Sequence, residues 1–110
     1  MNLRRFDVNQ ILLPFVSIKG GVVNLTRQLA VDCADQKIHV NAVYSGFLET
    51  ALVRPFLDDP DLNAGVRAQS PWLNLGTASD VAKAVSFLVG DESACVTGSN
   101  LVVDGGFTVR

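Results

Sequence analysis

The chain has 110 residues, 48% hydrophobic and 18% charged, with nine basic against eleven acidic side chains and a formal net charge of −2. That length allows one small domain, and so high an apolar share predicts cover from another copy or from further elements of a larger fold. With no basic run longer than Arg4-Arg5, nucleic acid is excluded as an expected partner.

In chain order, Arg4 and Arg5 followed by the apolar stretch from Ile11 to Val16 loosely imitate a secretion signal. Asp7 intrudes, Pro14 interrupts, and no small-residue cleavage pattern follows before Lys19. No apolar stretch approaches the roughly eighteen residues of a membrane span. A cytoplasmic protein without a membrane partner is expected. The two cysteines, Cys33 and Cys95, lie far apart, and His39 is the sole histidine. This predicts no metal site and two buried, reduced thiols.

From Ser17 to Ala34, Ile18, Val22, Leu25 and Leu29 recur at helical spacing, flanked by Val23, Ala30, Val31 and Ala34. So wide an apolar face predicts two buried sides, one on a sheet and one on a neighbour. Gly20 and Gly21 each cost about 1 kcal/mol relative to alanine in a helix, which predicts something packed close to the backbone there. Lys37 to Val43 then alternates toward a strand that Ser45-Gly46 ends in a turn. Helix, short loop and strand make the second half of a βαβ unit.

The region from Phe47 to Leu75 carries Pro55, Pro60 and Pro71 and reads as a loop with short helical pieces. Its acidic cluster Asp58, Asp59 and Asp61 reads as a solvated loop tip. Thr77-Ala78-Ser79-Asp80 is a cap signal for a helix whose apolar stripe is Val81, Val85 and Leu88 with Ala84 and Phe87, stopped by Gly90. Asn100 to Val103 reads as a buried strand after the turn at Thr97-Gly98, closed by Gly105-Gly106. The fold class is α/β.

Four segments in register resemble the short-chain dehydrogenase/reductase family. Phe15-Val16-Ser17-Ile18-Lys19-Gly20 is similar to its Y-x-x-x-K-G, and Val40-Asn41-Ala42-Val43-Tyr44-Ser45-Gly46 with Thr50 to its V-N-x-V-x-P-G-x-x-x-T. Gly76-Thr77 with Asp80-Val81-Ala82 resembles G-x-x-x-D-V-A. Thr97 to Gly106 resembles the ending T-G-x-x-x-x-V-D-G-G. The resemblance implies a partial Rossmann-like, doubly wound parallel sheet, the C-terminal half of such a domain over 14–110, behind a divergent segment 1–13.

It also implies roles. In the family a tyrosine exchanges the proton of a carbinol, while a lysine one helical turn later lowers the tyrosine's pKa and holds the nicotinamide ribose. Lys19 matches that lysine as a catalytic and cofactor-binding residue. Phe15 occupies the tyrosine position, and a phenyl ring cannot transfer a proton. Neither Ser17, about halfway round the helix from Lys19, nor Tyr44, at the end of the next strand, is expected to replace it. The turn at Gly46 would contact the nicotinamide amide and Thr50 the pyrophosphate side. Ser45 stands where the family has proline.

The family cofactor is NAD or NADP, but the sequence holds no G-x-x-x-G-x-G loop to present backbone N–H groups to a pyrophosphate. The first expectation is therefore a truncated relative that does not transfer hydride by itself. The alternative is a non-catalytic oligomerisation or interaction module, pairing with itself or with a related full-length subunit. Asn41 is expected to hydrogen-bond near its strand end, His39 to be exposed, and Trp72 to serve packing.

Overall fold

The computed structural model describes residues 8–72 and 74–109, with side chains from residue 20 onward. These fall into two compact units: the residues up to Ala42 with Thr97–Ser99, and Val43–Val96 with the residues from Asn100 onward.

The first unit is built on α1, Val8–Asp32. The helix begins well before Ser17 and runs through Pro14. A proline removes one backbone donor from the helix, and here that does not set the boundary. At the other end the chain tightens into a 3-10 turn at Ala34–Gln36, closed by Lys37 at φ 58°, whose N–H donates to the Ala34 carbonyl at 3.0 Å. The helix therefore stops two residues short of Ala34.

The expected face of α1 is buried only in part. Thr26 and Ala30, one turn apart, are buried at 6% and 4%, while Val22, Leu25, Leu29 and Val31 are exposed. Small side chains win because they allow close approach: a Cβ on Gly98 would stand 3.4 Å from the Ala30 Cβ. Thr26 satisfies its buried hydroxyl by donating to the Val22 carbonyl at 2.7 Å. The close packing expected at Gly20 and Gly21 is absent, since nothing described lies within 4 Å of a Cβ on either.

The expected strand from Lys37 begins only at Ala42, giving β1, Ala42–Ser45. Before it, Val40 and Asn41 use other partners. The Val40 N–H donates to Thr97 Oγ1, the Gly98 N–H to the Val40 carbonyl, and the Ser99 N–H and hydroxyl both to Asn41 Oδ1 at 3.0 and 2.8 Å. Asn41 thus has the strand-end hydrogen bonds expected of it, and these side-chain bonds replace a regular ladder.

β1 pairs with β2, Asn100–Val103, in a two-stranded sheet. Ala42 donates to Ser99 and Gly46 to Val103 with one constant offset, so the strands run parallel. β2 lies where the sequence placed it but is not fully buried, with Val102 44% exposed. A parallel strand is buried only when both sheet faces are covered.

In the second unit the long loop holds α2, Arg54–Leu57, and α3, Pro60–Ala68, each with proline in its first turn, where a missing N–H costs nothing. Asp59 caps α3, its carboxylate accepting from the N–H groups of Asp61 and Leu62. The acidic cluster is solvated as expected, yet one of its members has a definite structural task. α4, Ala78–Val89, opens on a complete capping box: the Asp80 N–H donates to Thr77 Oγ1 and the Thr77 N–H to the Asp80 carboxylate at 2.8 Å. Val81, Ala84 and Leu88 are half-buried along its inner stripe, while Val85 and Phe87 are exposed.

Gly90 ends α4 as expected. The following turn places Ser93 as the most buried side chain, its hydroxyl hydrogen shared between the Leu88 and Gly90 carbonyls at 2.8 and 3.0 Å. It thereby satisfies carbonyls that a helix end leaves open. Cys33 is half-buried and Cys95 exposed, both free, which corrects the expectation of two buried thiols. Among the described residues no helix is long and apolar enough to cross a membrane.

Candidate functional site

Of the residues singled out from sequence, Gly46 and Thr50 lie together in the second unit. Phe15 and Lys19 lie one helical turn apart within α1, and their side chains fall outside the described residues. Ser17 lies outside them in the same sense.

Gly46 directly follows β1. Its N–H donates to the Val103 carbonyl at 3.1 Å, and a Cβ there would stand 2.9 Å from the Asp104 Cβ. Glycine is required because the chain after β2 passes so close, and not because the turn needs a left-handed backbone. Ser45 is simply the last residue of β1. Tyr44 is buried within the same strand, 9% exposed.

Thr50 is half-exposed, and its carbonyl accepts from the N–H groups of Val53 and Arg54 at 3.1 and 2.9 Å, starting α2. It lines an open polar cleft of about 240 Å³ with Glu49, Arg54, Leu57, Asp58, Asn63 and Arg67. Within the cleft Arg67 pairs with Glu49 at 3.3 Å and donates from Nε to Asn63 Oδ1 at 2.7 Å. Among the described residues, no group of three or more His, Cys, Asp or Glu could hold a metal ion, and His39 is exposed.

The chain after β2 lines a separate small cavity, where Asp104 and Phe107 meet Phe47, Val66, Ser70 and Gly76. Asp104 accepts from the Gly106 N–H at 2.9 Å and the Thr108 N–H at 3.0 Å, curling the backbone through Gly105 and Gly106 at φ 62° and 88°. The Trp72 N–H donates to the Gly105 carbonyl at 3.1 Å, and the Ser70 hydroxyl to the same oxygen at 3.3 Å. Trp72 contributes its backbone there while its side chain is 73% exposed, so the expected packing role is not the one it has. Phe47 and Phe107 meet edge to face with centroids 6.1 Å apart. The sequence signal for this turn was the V-D-G-G ending. Its docking against Ser70 and Trp72 had no local signal.

The family model described as enoyl-(acyl carrier protein) reductase matches residues 10–108, a span that takes in Phe15, Lys19, Gly46 and Thr50. The chain belongs to the short-chain dehydrogenase/reductase family. Its relatives in this family include 2-(R)-hydroxypropyl-CoM dehydrogenase of Xanthobacter autotrophicus, 43% identical over 94 residues, which cover 86% of this chain and 38% of that protein. The 3-oxoacyl-(acyl-carrier-protein) reductase of Escherichia coli is 41% identical over 92 residues, covering 84% of this chain and 37% of the enzyme.

Solved structures agree on the fold. 4-Hydroxyisoleucine dehydrogenase complexed with NADH superposes with a TM-score of 0.82 at 28% identity, covering 87% of this chain and 40% of that one. ElxO with NADP bound gives 0.77 at 34% identity, covering 86% and 38%. This short-chain dehydrogenase/reductase chain therefore has an α/β, partly Rossmann-like fold and spans about two fifths of the length of the relatives it matches.

Proposed function

We propose that these 110 residues carry the lysine and the nicotinamide-side turn of an NAD(P)-dependent alcohol–carbonyl oxidoreductase, but do not transfer hydride by themselves. The observation that carries this reading is Phe15, one turn before Lys19 on a single continuous helix in a chain of this family. Residues four apart share a helix face, so Lys19 sits where an ammonium group would lower the pKa of a phenol, and Phe15 supplies no phenol. Loss of a general acid removes on the order of 10²- to 10⁴-fold in rate.

Gly46 and Thr50 are the cofactor-side residues of this reading, with Lys19 on the ribose. When bound, the dinucleotide would supply the hydride. The chain's own part would be to orient it, through the turn at Gly46 and the hydroxyl of Thr50, and these residues contain no glycine-rich loop for its pyrophosphate. A cytoplasmic setting fits this chemistry.

Titration of the purified chain with NADH and with NADPH, followed by coenzyme fluorescence, tests the reading. No saturable signal is expected, and micromolar binding or turnover of an alcohol or ketone would overturn it. A second reading, an interaction module that pairs with itself or with a related subunit, is favoured by one observation: Leu25 and Val31 on α1 stand 58% and 73% exposed. Sedimentation tests it, since a well-behaved monomer at tens of micromolar would remove its basis.

A further inference from the structure

We propose that the open polar cleft beside Thr50 binds a zwitterion, the head group of a free α-amino acid, with Arg54 taking its carboxylate and Asp58 its ammonium group. Two of the four charges that line the cleft are spent on each other. Arg67 pairs with Glu49 at 3.3 Å and donates from Nε to Asn63 Oδ1 at 2.7 Å, while Asn63 Nδ2 donates to the Leu57 carbonyl at 3.0 Å. These bonds hold that wall of the cleft together.

Arg54 and Asp58 are spent on nothing. Both are exposed and line the cleft, and among the described residues neither side chain has a hydrogen bond or an ion pair. They stand one turn apart at α2, where the Asp58 N–H donates to the Arg54 carbonyl at 3.0 Å, yet guanidinium and carboxylate do not meet. Their order accounts for this. At a spacing of four, a cation placed before an anion pairs less well than the reverse, and the backbone dipole favours neither charge at its end. The two side chains thus add little to α2 and present opposite, separated charges to one cleft.

Those charges select the ligand. Glu49, Arg54, Asp58 and Arg67 cancel, so a simple anion drawn to Arg54 is repelled by Asp58, and a simple cation drawn to Asp58 is repelled by Arg54. A molecule that carries both signs close together pairs with both. A guanidinium fork suits a carboxylate, which accepts two N–H groups at once, and a carboxylate suits a compact ammonium. The volume of about 240 Å³ lies below that of a drug-sized site, which restricts the ligand to a small molecule, and half-buried Leu57 offers its side chain an apolar contact. This inference goes beyond the proposed function, since amino-acid binding needs neither coenzyme nor hydride transfer and its failure leaves that reading untouched.

Titration of the full chain with L-leucine in slightly acidic buffer, followed by backbone amide NMR shifts, tests it. N-acetyl-L-leucine, which keeps only the carboxylate, and L-leucinamide, which keeps only the ammonium, are the comparison arms. L-leucine is expected to give saturable shifts within residues 49–67, with each blocked form binding about two- to fivefold more weakly, as exposed charge pairs contribute. High salt should narrow these differences. Arg54→Gln should remove the advantage of L-leucine over L-leucinamide, and Asp58→Asn its advantage over N-acetyl-L-leucine. A blocked form that binds as tightly as L-leucine, shifts that do not saturate, or shifts confined to residues outside the cleft would overturn the proposal. Should either variant fail to fold, the three ligands compared on the unmodified chain decide the matter alone.

Discussion

Gly20-Gly21 lies inside α1 with nothing described within 4 Å of a Cβ on either residue, whereas Gly105-Gly106 follows β2 at φ 62° and 88°. A Cβ on Gly105 would stand 2.6 Å from Ser70 Oγ and 3.3 Å from the Trp72 Cβ. The same dipeptide is thus a cost in one place and a requirement in the other. In a helix, glycine gives up backbone entropy and gains nothing unless a neighbour fills the space. After β2 it takes a backbone conformation that other residues resist, and its carbonyl takes the hydrogen bonds of Ser70 and Trp72, just after α3.

The largest effect that would break this contrast is at the second pair. Gly105→Ala should cost about 2–3 kcal/mol, from the left-handed backbone and the displaced Ser70 hydroxyl. Denaturant unfolding measures it, and in a Ser70→Ala background the added cost should shrink, because the obstructing oxygen is gone. A loss below about 0.5 kcal/mol would show that the turn adapts, placing the two pairs in one class.

Next in size is the α4 cap, a feature set by residues adjacent in sequence. Thr77→Ala should cost about 1 kcal/mol in the same measurement. The Thr77 N–H and then its hydroxyl, helped by Lys83, hold the Asp80 carboxyl below its ordinary 3.8. A lowered folded value contributes stability above the unfolded pKa, and that contribution is lost as pH falls through the lowered value. The stability gap between the unmodified chain and Asp80→Asn should therefore be full near neutrality and close in acid. A gap unchanged at acid pH would mean that the charge is not what matters.

The smallest effect sharpens the contrast most. Gly20→Ala and Gly21→Ala should each stabilise α1 by about 0.5–1 kcal/mol, seen as later loss of helical circular dichroism on unfolding. Destabilisation by either would mean that a partner covers this face, restoring the close packing expected from sequence.

Features fixed by neighbours in the chain were legible before any coordinates. Thr77 and Asp80 three apart announced a helix start that the structure shows bond for bond, and Asn100 to Val103 announced β2. Family membership was legible from four short segments, and the family model matches over 10–108. Less legible was which residues of a helix face are buried. The stripe Val22, Leu25 and Leu29 has the right period, but the buried residues are Ala30 from its flanking strip and Thr26, and the turn at Gly98 comes close to the small Ala30 side chain.

By itself, then, the sequence determined family, fold class and the start of α4, and it placed a ring without oxygen one turn before Lys19, since all of these depend on residue identity and short spacing. Tertiary structure alone decided that Gly46 is needed for the passage of Asp104, that Ser93 closes the end of α4, and that Arg67 reaches Glu49 across the loop. Two of these contacts join residues far apart in the chain, and the third depends on how the backbone turns after a helix. No local pattern of residue types specifies such distances until the backbone has been folded into place.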